Sequence, residues 1–157
     1  MPETKISINP YLAFDGRCEE AFEFYERHLG GKILMMLAHE GTPAENSVAP
    51  EWKKKIMHAR MQLGNSLLMG SDMPPDSYRT AQGTTINISV DDAQEAERLF
   101  AALAERGRVT MPIAETFWAM RFGALVDQFG IPWMINCERA QQEAALEQVS
   151  QAATAAH

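Results

Sequence analysis

The chain has few cysteines, and its length gives it no need of more. A protein of 157 residues can bury about 70% of its unfolded surface, so its core requires neither disulfides nor a structural metal. Its two cysteines, Cys18 and Cys137, have no C-x-x-C spacing. They fit reduced thiols in a cytoplasmic protein.

Positive charge and long apolar runs are also scarce. Lysine and arginine number 14 against 21 acidic residues, a formal net charge of -7, whereas nucleic-acid binding needs clustered basic residues that release counterions. No apolar run approaches the roughly 20 residues of a membrane span, and the start, Met-Pro-Glu-Thr-Lys, lacks the regions of a secretion signal. We therefore expect neither nucleic acid nor membrane as a partner, and a cytoplasmic location.

What the chain does contain is an internal repeat with an offset of about 76 residues. In each copy an alternating strand ends at an aspartate, an amphipathic helix follows, and a glycine precedes the next strand. The matching residues are Phe14 with Val90, Asp15 with Asp91 and Gly31 with Gly107. The first strand is predicted from Ile6 to Phe14 in one copy and through Ile86, Ile88 and Val90 in the other.

Two more strands complete each copy. In the first they run over Met57 to Leu63 and Ser66 to Met69, after a long loop over 39–52. In the second they run over Phe117 to Val126 and Pro132 to Asn136. Each copy is thus β-α-β-β-β. This pattern predicts an α+β protein in which two β-α-β-β-β modules form a curved eight-stranded cup, with the pocket between the halves.

The chain is expected to form one domain followed by a tail. The domain spans residues 1–137, with module one over 5–72 and module two over 83–137. Residues 138–157 are rich in Ala, Gln and Glu, and Leu146 and Val149 are their only large apolar residues. Such a C-terminal tail is predicted to be helical or frayed and to carry no chemistry.

Six segments of the chain resemble a known family. They are Asn9-Pro10-Tyr11, Phe22-Glu23-Phe24-Tyr25, Leu29-Gly30-Gly31, Gly70-Ser71-Asp72, the run from Phe117 to Gly123 and the run from Asp127 to Trp133. Through these segments the chain is similar, over residues 5–137, to the PhnB-like branch of the vicinal oxygen chelate superfamily, the glyoxalase, bleomycin resistance and dioxygenase group. The resemblance implies paired modules, a homodimer and, in the enzymes, one divalent metal inside the cup that chelates substrate oxygens.

The resemblance also implies where metal ligands would stand. The early positions fall at Asn9 and Thr85, and the late ones at Met134 and at Leu68 or Met69. Asn and Thr are poor ligands for a catalytic divalent ion, and Leu and Met offer neither a hard oxygen nor an imidazole. We therefore expect no metal cofactor.

The sequence also offers one alternative set of metal ligands and one cysteine near a helix start. The alternative is one divalent metal held by His39, Glu40 and His58, since the long loop leaves and re-enters the same module. Cys18, near the start of the first helix, is interpreted as a small buried residue rather than a reactive thiol.

Side chains that could line a pocket lie on several of the predicted strands. His58, Arg60 and Gln62 share one face of a strand whose other face is core, so they face either solvent or the cavity. The strand from Phe117 is apolar on both sides, which predicts that Arg121 meets a carboxylate, a carbonyl or an anionic ligand. Trp118, Met120 and Met134 either line a pocket for a flat or greasy ligand or fill the core. The candidate ligand-binding residues are Trp118, Arg121, Met120, Met134, Asn9, Thr85, His58 and Arg60.

Three functions compete. The first is a metal-free protein that binds a small molecule in the cup. The second is a metal-dependent lyase, isomerase or dioxygenase with non-standard ligands. The third is a ubiquinone-pathway methyltransferase, a name often given to this branch, which is disfavoured because no Gly-rich turn joins a strand to a helix.

Overall fold

The computed structural model describes residues 4–156, and the side chains of that range other than 141–145. The chain divides between Ala81 and Gln82 into two compact units, which we call module one and module two. Within the described residues, no helix is both long and apolar enough to span a membrane.

Module one is a four-stranded sheet with one helix. The strand order is β1-β4-β3-β2, with β1 parallel to β4 and the other pairs antiparallel. Two short 3-10 helices, Glu45–Ser47 and Pro50–Trp52, lie in the long loop between β2 and β3. The elements are β1 (Tyr11–Phe14), α1 (Cys18–Leu29), β2 (Lys32–Ala38), β3 (Ile56–Leu63) and β4 (Ser66–Asp72).

Module two repeats this plan with the order β5-β8-β7-β6, in which β5 is parallel to β8. Its elements are β5 (Ile86–Val90), α2 (Ala93–Ala104), β6 (Arg108–Ala114), β7 (Ala119–Val126) and β8 (Pro132–Glu138), followed by α3 (Ala140–Ala155). The α+β class, the doubled β-α-β-β-β plan and the C-terminal helix are confirmed.

Helix α1 covers one face of the sheet of module one, and α2 covers one face of the sheet of module two. Side chains alternate across a strand, so the glycines beneath the helices identify that face. A Cβ on Gly70 would lie 3.0 Å from the Phe22 ring of α1, and a Cβ on Gly123 would lie 2.7 Å from the Phe100 ring of α2. The opposite face of each sheet, which we call the helix-free face, carries the other set of side chains.

The first strand begins later than predicted. β1 starts at Tyr11, and Ile6 and Ile8 are 86% and 93% exposed. Pro10 has no N–H to donate, although its carbonyl accepts from the amide of Met69 at 3.0 Å. Regular pairing therefore begins only after the proline.

The strand predicted from Phe117 also begins later, at Ala119. A tight turn precedes it, because the amide of Thr116 donates to the carbonyl of Ala119 at 3.0 Å and the Thr116 hydroxyl accepts from the amide of Ala119 at 3.0 Å. Phe117 and Trp118 therefore lie in a bend, and Phe117 is 88% exposed. A bulge at Met57 similarly places Ile56, not Met57, in the core.

Candidate ligand-binding faces

On the helix-free face of module one, four side chains form a row across the sheet. The register places Tyr11 of β1 beside Met69 of β4, Met69 beside Arg60 of β3, and Arg60 beside Met35 of β2. The prediction that His58, Arg60 and Gln62 lie opposite the core side of β3 is confirmed, since Ala59 and Met61 are fully buried.

The equivalent row of module two consists of Asn87, Met134, Ala124 and Met111. The two rows share a methionine beside the first strand and another on the outer strand. They differ where module one has Tyr11 and Arg60, since module two has Asn87 and Ala124 there. The apolar part of the row is thus repeated, and the cationic part belongs to module one alone.

Tyr11 and His58 form a contact that sequence reasoning missed. The Tyr11 hydroxyl lies 3.1 Å from His58 Nδ1, and the two rings stack with centroids 5.7 Å apart and planes at 23°. The residues are 47 positions apart, and only the pairing of β1 and β3 with the same central strand, β4, brings them together. The pair places one phenol and one imidazole on the helix-free face.

Arg60 is half-buried on the same face, and its Nε atom is buried without a hydrogen-bond partner. No carboxylate among the described residues lies within 4.0 Å of its guanidinium. A guanidinium is a donor-only group that remains charged at any ordinary pH. Arg60 therefore offers unused donors and a full positive charge.

Arg121 lies on the other face of its sheet, the one that α2 covers. Its Nε donates to the carboxylate of Glu97 at 2.7 Å, and its Nη1 donates to the carbonyl of Met120 at 2.7 Å. The hydrogen bond to Glu97 raises the pKa of Arg121 above its ordinary value. The prediction that Arg121 meets a carboxylate or a carbonyl is confirmed, while its role in binding a ligand stays a prediction.

Trp118, the aromatic candidate of module two, packs against two phenylalanines. Trp118 lies edge-on to Phe122 with ring centroids 5.6 Å apart, and Phe117 lies edge-on to Trp118 at 4.7 Å. Near them, Met120 lines an open cavity of about 700 Å³ at the carboxyl end of β5. The remaining lining residues are Ser89, Val90, Asp91, Glu95, Glu138 and Ala140.

Comparison with known proteins identifies the family. The sequence model of one protein family, the Glyoxalase/Bleomycin resistance protein/Dioxygenase superfamily, matches residues 7–135 of this chain. The chain belongs to this superfamily. Protein YjdN of Escherichia coli K12 is 35% identical over 146 residues, which cover 87% of this chain and 98% of YjdN. The resemblance to the PhnB-like branch is thereby confirmed.

Two solved structures share the fold. The crystal structure of protein PA1353 from Pseudomonas aeruginosa has a TM-score of 0.78 and 48% identity, and covers 85% of this chain and 98% of that one. The PhnB protein from Bacillus cereus has a TM-score of 0.72 and is 22% identical in sequence. The match covers 84% of this chain and 99% of the Bacillus chain.

The side chains of this superfamily member do not fit a catalytic divalent metal at the positions its relatives imply. Asn9 and Thr85 precede β1 and β5, and the residues in register with Met69 and Met134 are Tyr11 and Asn87. Thioether, phenol and amide groups are weak donors for a hard divalent ion.

Two side chains of the alternative metal set, His39 and His58, contact other groups of the chain. His39 Nδ1 contacts the carbonyl of Lys55 at 3.0 Å, while His58 contacts Tyr11. Among the side chains that the structure describes, no group of three or more His, Cys, Asp or Glu residues is arranged to hold a metal ion. The set His39, Glu40 and His58 stays a prediction.

Two buried carboxylates, Asp72 and Asp127, also escaped the sequence reasoning. Asp72 is 5% exposed and accepts from the amides of Cys18 and Ile56, and Asp127 is 4% exposed and accepts three hydrogen bonds. Burial, and next the negative charge of Asp72, raise the pKa of the Cys18 thiol. Because the thiolate is the nucleophile, the interpretation of Cys18 as a buried structural residue fits this environment.

Proposed function

We propose that the protein binds a small organic molecule without a metal ion, and that binding is itself its function. Membership of the glyoxalase and bleomycin resistance superfamily supports small-molecule binding. The proposal that no metal is needed depends on one observation, made in each module separately. The parallel strands place Tyr11 beside Met69 in module one and Asn87 beside Met134 in module two. A thioether-rich, adaptable surface is suited to an apolar ligand body and poorly suited to a hard metal ion.

Each module carries candidate contacts of its own. Among them, His58 and Arg60 stand on the helix-free face of module one, and Met134 stands on the helix-free face of module two. Trp118 and Met120 flank the start of β7. Arg121 stays a candidate, but a ligand would have to compete with Glu97 for its guanidinium.

The protein purified without chelator is expected to carry far less than one equivalent of Zn, Ni, Mn or Fe after dialysis, because no described set of side chains is arranged to hold the ion. Elemental analysis by mass spectrometry is the measurement, with a chelator-treated sample as the control. One tightly bound equivalent per chain would contradict the proposal. If that metal were lost in a His39→Ala and His58→Ala double variant, the metal-dependent lyase, isomerase or dioxygenase would be supported instead.

No observation favours a methyltransferase. The Bacillus PhnB protein carries the name of a 3-demethylubiquinone-9 3-methyltransferase, but its 22% identity to this chain is evidence for the fold alone. The turns after β1 and β5, Asp15-Gly16-Arg17 and Asp91-Asp92, are not the Gly-rich turns that cradle a nucleotide-like cofactor.

We also propose that the protein is a homodimer. Strands β2 and β6 are edge strands of their sheets, and they expose Leu34 and Met111 to 53% and 46%. Exposed apolar edge strands offer a surface that a second copy of the chain can cover. Light scattering on the eluting protein is expected to give twice the 17.5 kDa mass of one chain at micromolar concentration.

A truncated variant serves as the control for that measurement. Removing residues 140–157 is expected to leave the dimer intact, because Leu146 and Val149 of α3 are 60% and 68% exposed in the single chain and offer little apolar area. A monomer mass for the full chain would refute the dimer, and a monomer mass for the truncated chain alone would assign the interface to α3.

A cytoplasmic location completes the proposal. Cys18 and Cys137 are both buried, and neither forms a disulfide. Thiols that are not oxidised to disulfides are typical of proteins from reducing compartments.

A further inference from the structure

We propose that Arg60 binds the anionic group of the ligand, so that the molecule bound by module one is an organic oxyanion with an apolar body. This inference depends on the small-molecule binding proposed above and specifies the chemical class of the ligand. The group that Arg60 recognises is a carboxylate, sulfonate or phosphate. The methionines beside Arg60 contact the rest of the ligand.

The first support is the electrostatic environment of Arg60 compared with the other arginines. Arg17, Arg98, Arg121 and Arg139 each pair with a carboxylate. Arg27, Arg79, Arg106 and Arg108 are exposed to water. Arg60 is half-buried and has no carboxylate within 4.0 Å among the described residues.

A buried donor without a partner loses its bond to water and gains nothing in return. The Nε of Arg60 is such a donor. An oxyanion that accepts from Nε and from one terminal nitrogen would form the bidentate pair for which a guanidinium is shaped. The ligand would thus supply the hydrogen bond and the charge that the chain itself leaves out.

The neighbours of Arg60 define the rest of the ligand. Met35 and Met69 flank it in the row, and Tyr11 follows Met69. His58 lies two residues before Arg60 on β3, and its ring stacks on that of Tyr11. Thioethers are flexible and polarisable, and they pack well against aromatic rings. An aromatic or aliphatic body attached to the oxyanion would lie over Met69, toward the Tyr11 and His58 rings.

The internal repeat shows that this arginine is not required by the fold. Module two builds the equivalent row with Ala124 in place of Arg60 and keeps both methionines, Met111 and Met134. A sheet of this type therefore forms with a small side chain at that position. The charge on module one is an addition to the shared plan.

The test uses two fluorescent probes that share an apolar body and differ in charge. They are 8-anilinonaphthalene-1-sulfonate, which carries a sulfonate, and N-phenyl-1-naphthylamine, which does not. Arg60→Met is expected to weaken binding of the sulfonate by about 10- to 100-fold, the range for a hydrogen bond to a charged group, and to change binding of the uncharged probe by less than about twofold. Arg27→Met is the matched control. It removes the same charge from an exposed position on α1, the helix that covers the other face of the same sheet. It should change neither affinity.

Two further measurements keep the test decisive if Arg60→Met does not fold. Inorganic sulfate should displace the sulfonate probe from the unmodified protein but leave the uncharged probe bound. Arg60→Lys, which keeps the charge but loses the planar fork, should bind the sulfonate with intermediate affinity.

The outcomes separate the two proposals. If both probes bind and neither sulfate nor the Arg60 variants discriminate between them, the anion site is refuted while small-molecule binding stands. If neither probe binds the unmodified protein, the binding function is refuted together with the anion site. Equal loss of the sulfonate probe in Arg27→Met and Arg60→Met would show a general charge effect and would also overturn the proposal.

Discussion

Replacing Asp127 with alanine is expected to lower the free energy of unfolding by about 3 to 5 kcal/mol. The carboxylate is 4% exposed and accepts from the amides of Phe129 and Ile131 at 2.9 and 3.0 Å, and from Trp133 Nε1 at 2.8 Å. Alanine would leave these donors without an acceptor in a place that water does not reach, since Trp133 is itself 1% exposed. The turn between β7 and β8 and the indole of β8 would lose their common partner.

Urea unfolding followed by tryptophan fluorescence measures this effect, because Trp133 reports on the site directly. Asp76→Ala removes an exposed aspartate from the segment between the modules and is expected to change the free energy of unfolding by no more than about 0.5 kcal/mol. A loss below about 1 kcal/mol for Asp127→Ala would mean that the three donors find other partners, and would refute the role assigned to this carboxylate.

The repeated β-α-β-β-β plan could be predicted because its signals are local. Alternation marks β5, the heptad-like spacing of Ala96, Leu99, Phe100 and Leu103 marks α2, and glycines mark the helix ends, of which Gly30 has a φ of +73°. The errors arose where one residue overrides the pattern. Pro10 shortens β1, and the Thr116 turn delays β7.

The candidate site was predictable only in part, because its geometry depends on register. The offset between the copies is 76 at Tyr11 and Asn87 but 65 at Met69 and Met134. The long loop over 39–55 in module one accounts for the change, since β6 and β7 are joined by only residues 115–118. A single offset therefore cannot align both the start and the end of the two copies. The row that contains Arg60 can be identified only from the pairing of the strands.

The two buried aspartates were missed for a different reason. Aspartate at the end of a strand or in a turn usually faces water, so its identity carries no signal of burial. Asp127 stands in a turn and Asp72 ends β4. In addition, the hydrogen-bond partners of Asp72 are distant in sequence. The amide that it accepts from at Cys18 is 54 residues away.

Asp72→Ala is expected to lower the free energy of unfolding by about 2 to 4 kcal/mol. Asp72 is 5% exposed, and it accepts from the amide of Cys18 at 2.9 Å and from the amide of Ile56 at 2.8 Å. It thereby joins the first residue of α1 to the first residue of β3, and places a carboxylate at the positive end of the helix dipole. Without it, two buried amides have no acceptor.

The same substitution should be visible at Cys18. Burial is the main cause of the raised pKa of that thiol, and the charge of Asp72 adds to it, so Asp72→Ala should lower the pKa while leaving it above the ordinary value. The measurements are urea unfolding and the rate at which Cys18 reacts with a thiol reagent in a Cys137→Ala background, which removes the second thiol; a lower pKa gives more thiolate and a faster reaction. Asp72→Asn is the matched variant, because its amide oxygen can still accept one of the two bonds and should recover part of the lost stability. An unchanged free energy of unfolding together with an unchanged reaction rate of Cys18 would show that Asp72 does not hold α1 and β3 together.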